Sequence, residues 1–210
     1  MADPQAEPFS IALSVLRERL EIGRLPPGAR ITAVDLADEL GLSTTPVREA
    51  LSRLAGEDVV EDRRGQGYFV RRLNGADIAD LYRTSLALLL IALDPRRPRR
   101  SPPPDGDPAP AVTGDPVSDV EDAFRGWIAA TGSRLLIRDF RIVQIRLGPV
   151  RRVEADVLGD LSAEAAALLA SDALPRPDRL ALLRQFHATR IRESERLAGL
   201  LEGLGSRSKK

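Results

Sequence analysis

The sequence predicts a mainly α-helical fold in two parts, three short helices closed by a β-hairpin and then an all-α helical bundle. Three observations predict it. Alanine, leucine and arginine, all good helix formers, dominate the 210 residues. Apolar residues recur at i, i+3 and i+4 along most of the chain, the spacing of one helix face. The stretch from Val59 to Val70 breaks that pattern with two β-prone runs around a glycine-bearing turn. Hydrophobic residues make up 43% of the chain, enough to build a core without staples.

Composition removes several function classes. There is no cysteine, so disulfides, thiolate metal sites and cysteine nucleophiles are excluded. His187 is the single histidine, which leaves no three-histidine metal cage and few routes to acid–base catalysis near neutral pH. Basic and acidic residues balance at 31 each, so any nucleic-acid binding must come from a local surface and not from a global positive field. The longest apolar run, Leu86 to Leu93, is far short of the ~20 residues that span a bilayer. No basic segment precedes an apolar stretch at the N-terminus. A soluble cytoplasmic protein with no membrane partner is expected.

The elements follow in order. Leu13, Leu16 and Leu20 define a first helix that should stop near Gly23. Thr32 and Asp35 form a capping-box-like pair that opens a second helix, and Ala33, Leu36, Ala37 and Leu40 give it one apolar stripe ending at Gly41. Only Gly41 and Leu42 separate it from the next N-cap, Ser43 or Thr44, with Pro46 in the first turn of a third helix. Val47, Ala50, Leu51 and Leu54 should face inward there, leaving Thr44, Thr45, Arg48, Glu49, Ser52 and Arg53 outward. Val59-Val60-Glu61 and Tyr68-Phe69-Val70 then flank a basic hairpin tip, Arg63 to Gly67.

A short helix, a tight turn and a second helix with a hydroxyl- and arginine-bearing face form an arrangement that fits a DNA major groove, with the hairpin as a wing. Candidate contacts are Ser43, Thr44, Thr45, Arg48, Ser52 and Arg53 on the third helix, where Arg48 can grip guanine N7 and O6. Arg63, Arg64 and Gly65 on the tip would reach an adjacent minor groove or the backbone. A packing or protein-docking role competes with this reading, because residues 1–72 carry 10 arginines against 12 acids. Local sign favours DNA: Arg48, Arg53, Arg63, Arg64, Arg71 and Arg72 cluster on the third helix and wing.

At these residues the sequence resembles a known family. Leu25-Pro26-Pro27-Gly28-Ala29-Arg30-Ile31, Asp35 to Gly41, Thr45-Pro46-Val47-Arg48-Glu49-Ala50-Leu51 and Arg64-Gly65-Gln66-Gly67-Tyr68-Phe69-Val70 occur in the order seen in the winged-helix domain of GntR-family transcriptional regulators. The resemblance covers about residues 10–72. It implies that Arg48 and Gly65 approach DNA. Thr44 stands where that family usually has an arginine.

Asp94 to Pro116 holds half of the 16 prolines and almost no large apolar side chain, and is expected to be a mobile, disordered loop. Its RRPRR cluster reads as a solvated linker, with a nucleic-acid contact as the alternative. Helices are expected over 77–93, 117–131, 133–147, 150–171 and 176–203, with Pro149, Pro175 and Pro177 at the last junctions. The domains would then be 1–73, the winged helix-turn-helix, and 76–204, an antiparallel helical bundle for effector binding and dimerisation.

This second part resembles a reduced effector domain of the FadR-type branch of the same family. Many members hold a metal with an acid and three histidines, but Arg125 occupies a usual histidine place, and Glu121 and His187 alone make a poor donor set, so no metal and no cofactor is expected. Where relatives carry an arginine and a glutamate facing the pocket, this chain has Ser85 and Leu89. Ser85, Leu89, Arg125 and His187 are thus candidate ligand contacts, for an apolar or neutral molecule or none. Competing readings make His187 a buried helix residue, Phe124 and Trp127 core, and Arg125 an ion-pair partner of Glu121.

The expected function is a sequence-specific transcriptional regulator that binds double-stranded DNA as a homodimer on a pseudo-palindromic operator. Its alternative is a winged-helix protein-interaction module without DNA readout. Catalysis is not expected, since no nucleophile-elbow or phosphate-loop motif occurs.

Overall fold

The computed structural model describes residues 7–96 and 113–207. Most of the proline-rich segment expected to be a mobile loop, residues 97–112, lies outside the described residues. Helices α1 (Pro8–Glu21), α2 (Ala33–Leu40) and α3 (Thr44–Gly56) precede the hairpin strands β2 (Val60–Arg63) and β3 (Gly67–Val70). A further strand, β1 (Arg30–Ile31), was not expected; it pairs antiparallel with β3, Arg30 opposite Phe69, giving the order β1-β3-β2. Two residues carry too little alternation to announce a strand.

The inner stripe of α3 closes this part. Val47, Ala50, Leu51 and Leu54 are fully buried against Leu16 and Leu20 of α1, Leu36 of α2 and Val60 and Val70 of the sheet. The capping box expected at Thr32 is absent: Thr32 is the N-cap of α2, but its side chain makes no cap hydrogen bond. The box forms instead at the boundary between the two parts, at Asn74. Its Oδ1 accepts from the Asp77 amide at 2.8 Å, while the Asp77 carboxylate accepts from the Asn74 amide at 3.0 Å.

That cap opens α4 (Gly75–Ala92), the central helix of the second part. Around it pack α5 (Pro116–Ala129), α6 (Arg134–Arg151), α9 (Arg176–Arg192) and α10 (Ser194–Arg207), while α7 (Glu154–Leu158), α8 (Ser162–Leu169) and a short 3₁₀ turn at Ala170–Ala173 cover one end. Phe124, Ile128, Phe140, Leu183 and Phe186 form one apolar cluster with Leu89, and Ile78, Tyr82, Leu147, Val150 and Leu197 form another.

Three expected boundaries move. Pro149 lies inside α6, in its last turn, and does not end it. The helix expected over 150–171 is broken at Gly159, whose φ of 81° and ψ of −143° suit glycine. The one expected over 176–203 ends at Arg192 and restarts at Ser194. Among the described residues no helix is long and apolar enough to cross a membrane.

Candidate nucleic-acid interface

The turn between α2 and α3 is built by Gly41, whose φ of 65° is the left-handed conformation that closes a helix. The Leu42 amide donates back to the Ala37 carbonyl at 2.9 Å, and Leu42 packs on the core. The chain therefore re-enters a helix at once, with Ser43 as N-cap of α3. Ser43 is exposed and makes no side-chain cap hydrogen bond, so neither its hydroxyl nor the first amides of α3 are tied up in a cap.

The outward face carries Thr45, Arg48, Glu49, Ser52 and Arg53, all exposed, with Thr44 half-buried. Their side chains differ in freedom. Arg48 has no ion-pair partner among the described residues. Arg53 turns back along the helix, its Nε donating to Glu57 at 2.8 Å, and Glu57 also accepts from Arg17 at 2.9 Å. The Ser52 hydroxyl lies 2.8 Å from that of Tyr68 on β3, which ties α3 to the wing.

On the wing, φ values of 75° at Gly65 and 96° at Gly67 allow the tip to reverse between Arg63 and Gly67. Arg63 is held on the strand: its guanidinium donates to Glu61 at 2.8 and 3.0 Å and stacks 4.3 Å above the Phe69 ring. Arg64 and Gly65 are exposed at the tip. Arg30, exposed on β1 beside Gly67, adds a cation to this side. Sequence reasoning overlooked Arg30 and Tyr68, although both lie in the quoted motifs; the signal needed was the pairing of Arg30-Ile31 with the wing.

The second part does not bring its four candidate ligand residues into one cavity. Ser85, Leu89 and His187 are fully enclosed. His187 Nδ1 donates to the Leu183 carbonyl at 2.8 Å, so Nε2 carries the lone pair and accepts from the Ser85 hydroxyl at 3.1 Å. Burial pushes its pKa down to about 3, which keeps the ring neutral. Phe124 stacks on it with ring centroids 5.8 Å apart, and Leu89 belongs to the same apolar cluster.

Arg125 does not pair with Glu121. It is half-exposed and binds Asp122 on its own helix and Glu21 on α1, the latter at 2.5 Å. Glu121 is buried and taken by Arg151 at 3.0 Å and Arg152 at 2.9 Å. A metal does not fit these residues: both His187 nitrogens are engaged, and both Glu121 oxygens accept from guanidinium groups. Among the described residues no three His, Cys, Asp or Glu side chains are grouped to hold an ion.

A cavity of about 10 Å³, bounded by Val120, Arg151, Glu154, Glu164, Phe186 and Arg190, touches none of the four candidates. Arg190 is fully enclosed there. It holds Glu154 at 2.8 Å and Glu164 at 2.9 Å, and the Tyr82 hydroxyl also donates to Glu154.

Residues 13–70 match the family described as bacterial regulatory proteins, gntR family. Over 78 residues the chain is 37% identical to the HTH-type transcriptional regulator McbR of Escherichia coli (strain K12), a stretch that is 37% of this chain and 35% of that protein. Over 56 residues it is 45% identical to the Nta operon transcriptional regulator of Aminobacter aminovorans, 27% of each. These matches span about a third or less of the relatives' length. In three dimensions E. coli McbR/YncC superposes with a TM-score of 0.68 at 20% identity, covering 91% of this chain and 99% of that one. At that identity the likeness is one of fold, and it extends through the helical part.

Proposed function

We propose, from the premise that the N-terminal domain belongs to the gntR family of bacterial regulatory proteins, that this chain is a sequence-specific DNA-binding transcriptional regulator acting as a homodimer on a pseudo-palindromic operator. In this reading residues 1–73 are the reading head and 76–204 the effector and dimerisation domain. One observation carries it. The helix after the Gly41 turn has an entirely buried leucine-rich side and an outward side on which Arg48 is exposed, without an ion-pair partner among the described residues.

Arg48 with Thr44 and Thr45 would read base edges, while Ser43, the first amides of α3, Arg64 and Gly65 would meet phosphates. Ser52, Arg53 and Arg63 already have protein partners and serve to frame those contacts. Two-fold pairing would set the reading helices about 34 Å apart.

For the helical part the reading is a small neutral or apolar effector, or none, and not an acid. Arg151 and Arg190 already hold carboxylates, so an acidic ligand would have to break a buried pair. Stronger thermal stabilisation by small organic acids than by neutral compounds would refute that part.

Selection of bound sites from random duplex DNA tests the main reading. A two-fold consensus is expected, and Arg48→Ala should cost roughly 1–3 kcal/mol on it while leaving the melting temperature unchanged. If nothing is enriched, the winged helix is a protein-interaction module and the regulator reading fails.

A further inference from the structure

The reading head is attached to the helical part by more than its covalent tether. Residues 71–74, between β3 and α4, contain no helix or strand. Ile145 of α6, however, is enclosed in the core cluster of the head together with Leu16, Leu20 and Val60, and Ile142 packs on the same cluster. One turn on, Gly148 lies directly on the backbone of Glu21 at the end of α1. A Cβ at that position would overlap the Glu21 carbonyl oxygen, so only glycine permits this approach.

Ion pairs stand at both sides of the contact. Arg125 of α5 reaches Glu21 at 2.5 Å, across 104 positions in sequence. Arg146 of α6 lies 3.3 Å from Asp58, which follows the end of α3 and also holds Arg71 at 2.6 Å. Asp58 has φ of 59°, alone among the described non-glycine residues in being positive. That backbone conformation costs energy in an L-residue and persists where surrounding contacts hold it.

We propose that this face of α6, with the Arg125–Glu21 and Arg146–Asp58 pairs beside it, is a specificity determinant: it holds each head at one angle and thereby sets the half-site spacing that the protein accepts. The inference rests on the dimeric DNA-binding reading above. Its physical basis is the pitch of the duplex. Adding one base pair between half-sites rotates one relative to the other by about 35°, because the helix repeats every 10–10.5 base pairs. A head free on four tether residues would follow that rotation. A head packed on α6 cannot follow without undocking, so it loses the gain of simultaneous engagement.

The test uses the full chain and the two-fold site selected from random DNA, with spacers shortened or lengthened by one and two base pairs, and a duplex bearing one half-site. The unaltered protein should bind the misspaced sites roughly 100-fold more weakly than the selected one. Glu21→Arg and Gly148→Ala should reduce that discrimination to about threefold with single-half-site affinity unchanged, and Glu21→Arg combined with Arg125→Glu should restore it.

Thermal unfolding identifies any variant that fails to fold. The ion-pair variants, whose partners are both partly exposed, carry the test if Gly148→Ala does not fold. Unaltered spacer discrimination in the folded variants, or no rescue by the charge swap, overturns the proposal. Equal binding of the unaltered protein to all spacers overturns it too, while sparing the regulator reading. Failure to bind any duplex overturns that reading itself.

Discussion

In the winged helix the enclosed side chains from Ala12 to Val70 are apolar but for Glu57, which Arg17 and Arg53 hold, whereas the helical part encloses Glu121, Gln144, Arg151, Glu154, His187 and Arg190. The first part keeps its other charges at the surface, where they can meet a partner. The second turns them inward, where each must find a partner within the protein or destabilise the fold. This contrast shows that two helical regions of one chain can be specified differently: the first by an apolar stripe, the second by a polar network that also dictates which helices meet.

The contrast can be broken most forcefully at Arg190. Replacing it by methionine should keep the volume and the contact with the Phe186 ring, but it leaves the buried Glu154 with the Tyr82 hydroxyl as its donor and takes the cation from both Glu154 and Glu164. A loss of about 3–5 kcal/mol in unfolding free energy is expected from chemical denaturation. A change below about 1 kcal/mol would mean that the network is dispensable and the contrast superficial.

His187 sharpens the same contrast through pH. Its pKa is near 3 in the folded protein and about 6.5 when unfolded, so the unfolded chain binds the proton more readily. The contribution to stability is complete above pH 6.5 and is lost as pH falls from there towards 3, at up to ~1.4 kcal/mol per unit. Relative to His187→Gln, the unaltered protein should therefore lose about 2 kcal/mol between pH 7 and pH 5. A constant difference between the two proteins over that range would refute neutral burial. The winged helix contains no histidine and should show no such step.

The smallest expected effect lies on the wing. Arg64→Ala should weaken binding to all sequences alike and lower the salt slope by about 1, with stability unchanged, because the side chain is exposed. Titrations at several salt concentrations read this directly. A loss confined to one operator sequence would instead make Arg64 a base contact.

Much of the candidate interface was legible from the chain. Val47, Ala50, Leu51 and Leu54 announce the buried side of α3, and with it the outward side bearing Arg48. Gly41 and Gly65 mark the turns between elements. The engagement of Ser52 by Tyr68, and of Arg53 by Glu57, was not legible from the face alone, since a helix face says which residues are outside but not what they touch. In the second part the helix breaks at Gly159 and Glu193 escaped notice, because the apolar pattern runs through them. Pro149 misled in the other direction: α6 runs through it to Arg151 and gives up only the one bond that the missing N–H would have made to the Ile145 carbonyl.

The primary structure by itself determined the order of helices and hairpin, the two sides of α3 and the exclusion of cysteine chemistry. These depend on residue type and on neighbours within one or two turns. Only the tertiary structure decided that Arg125 leaves Glu121 and crosses to Glu21, that Glu121 goes to Arg151 and Arg152, and that Arg190 lies between Glu154 and Glu164. With 31 basic and 31 acidic residues, the chain offers each guanidinium many acids of equal chemistry. Which one it meets is set by the packing of helices distant in sequence, and local periodicity does not encode that.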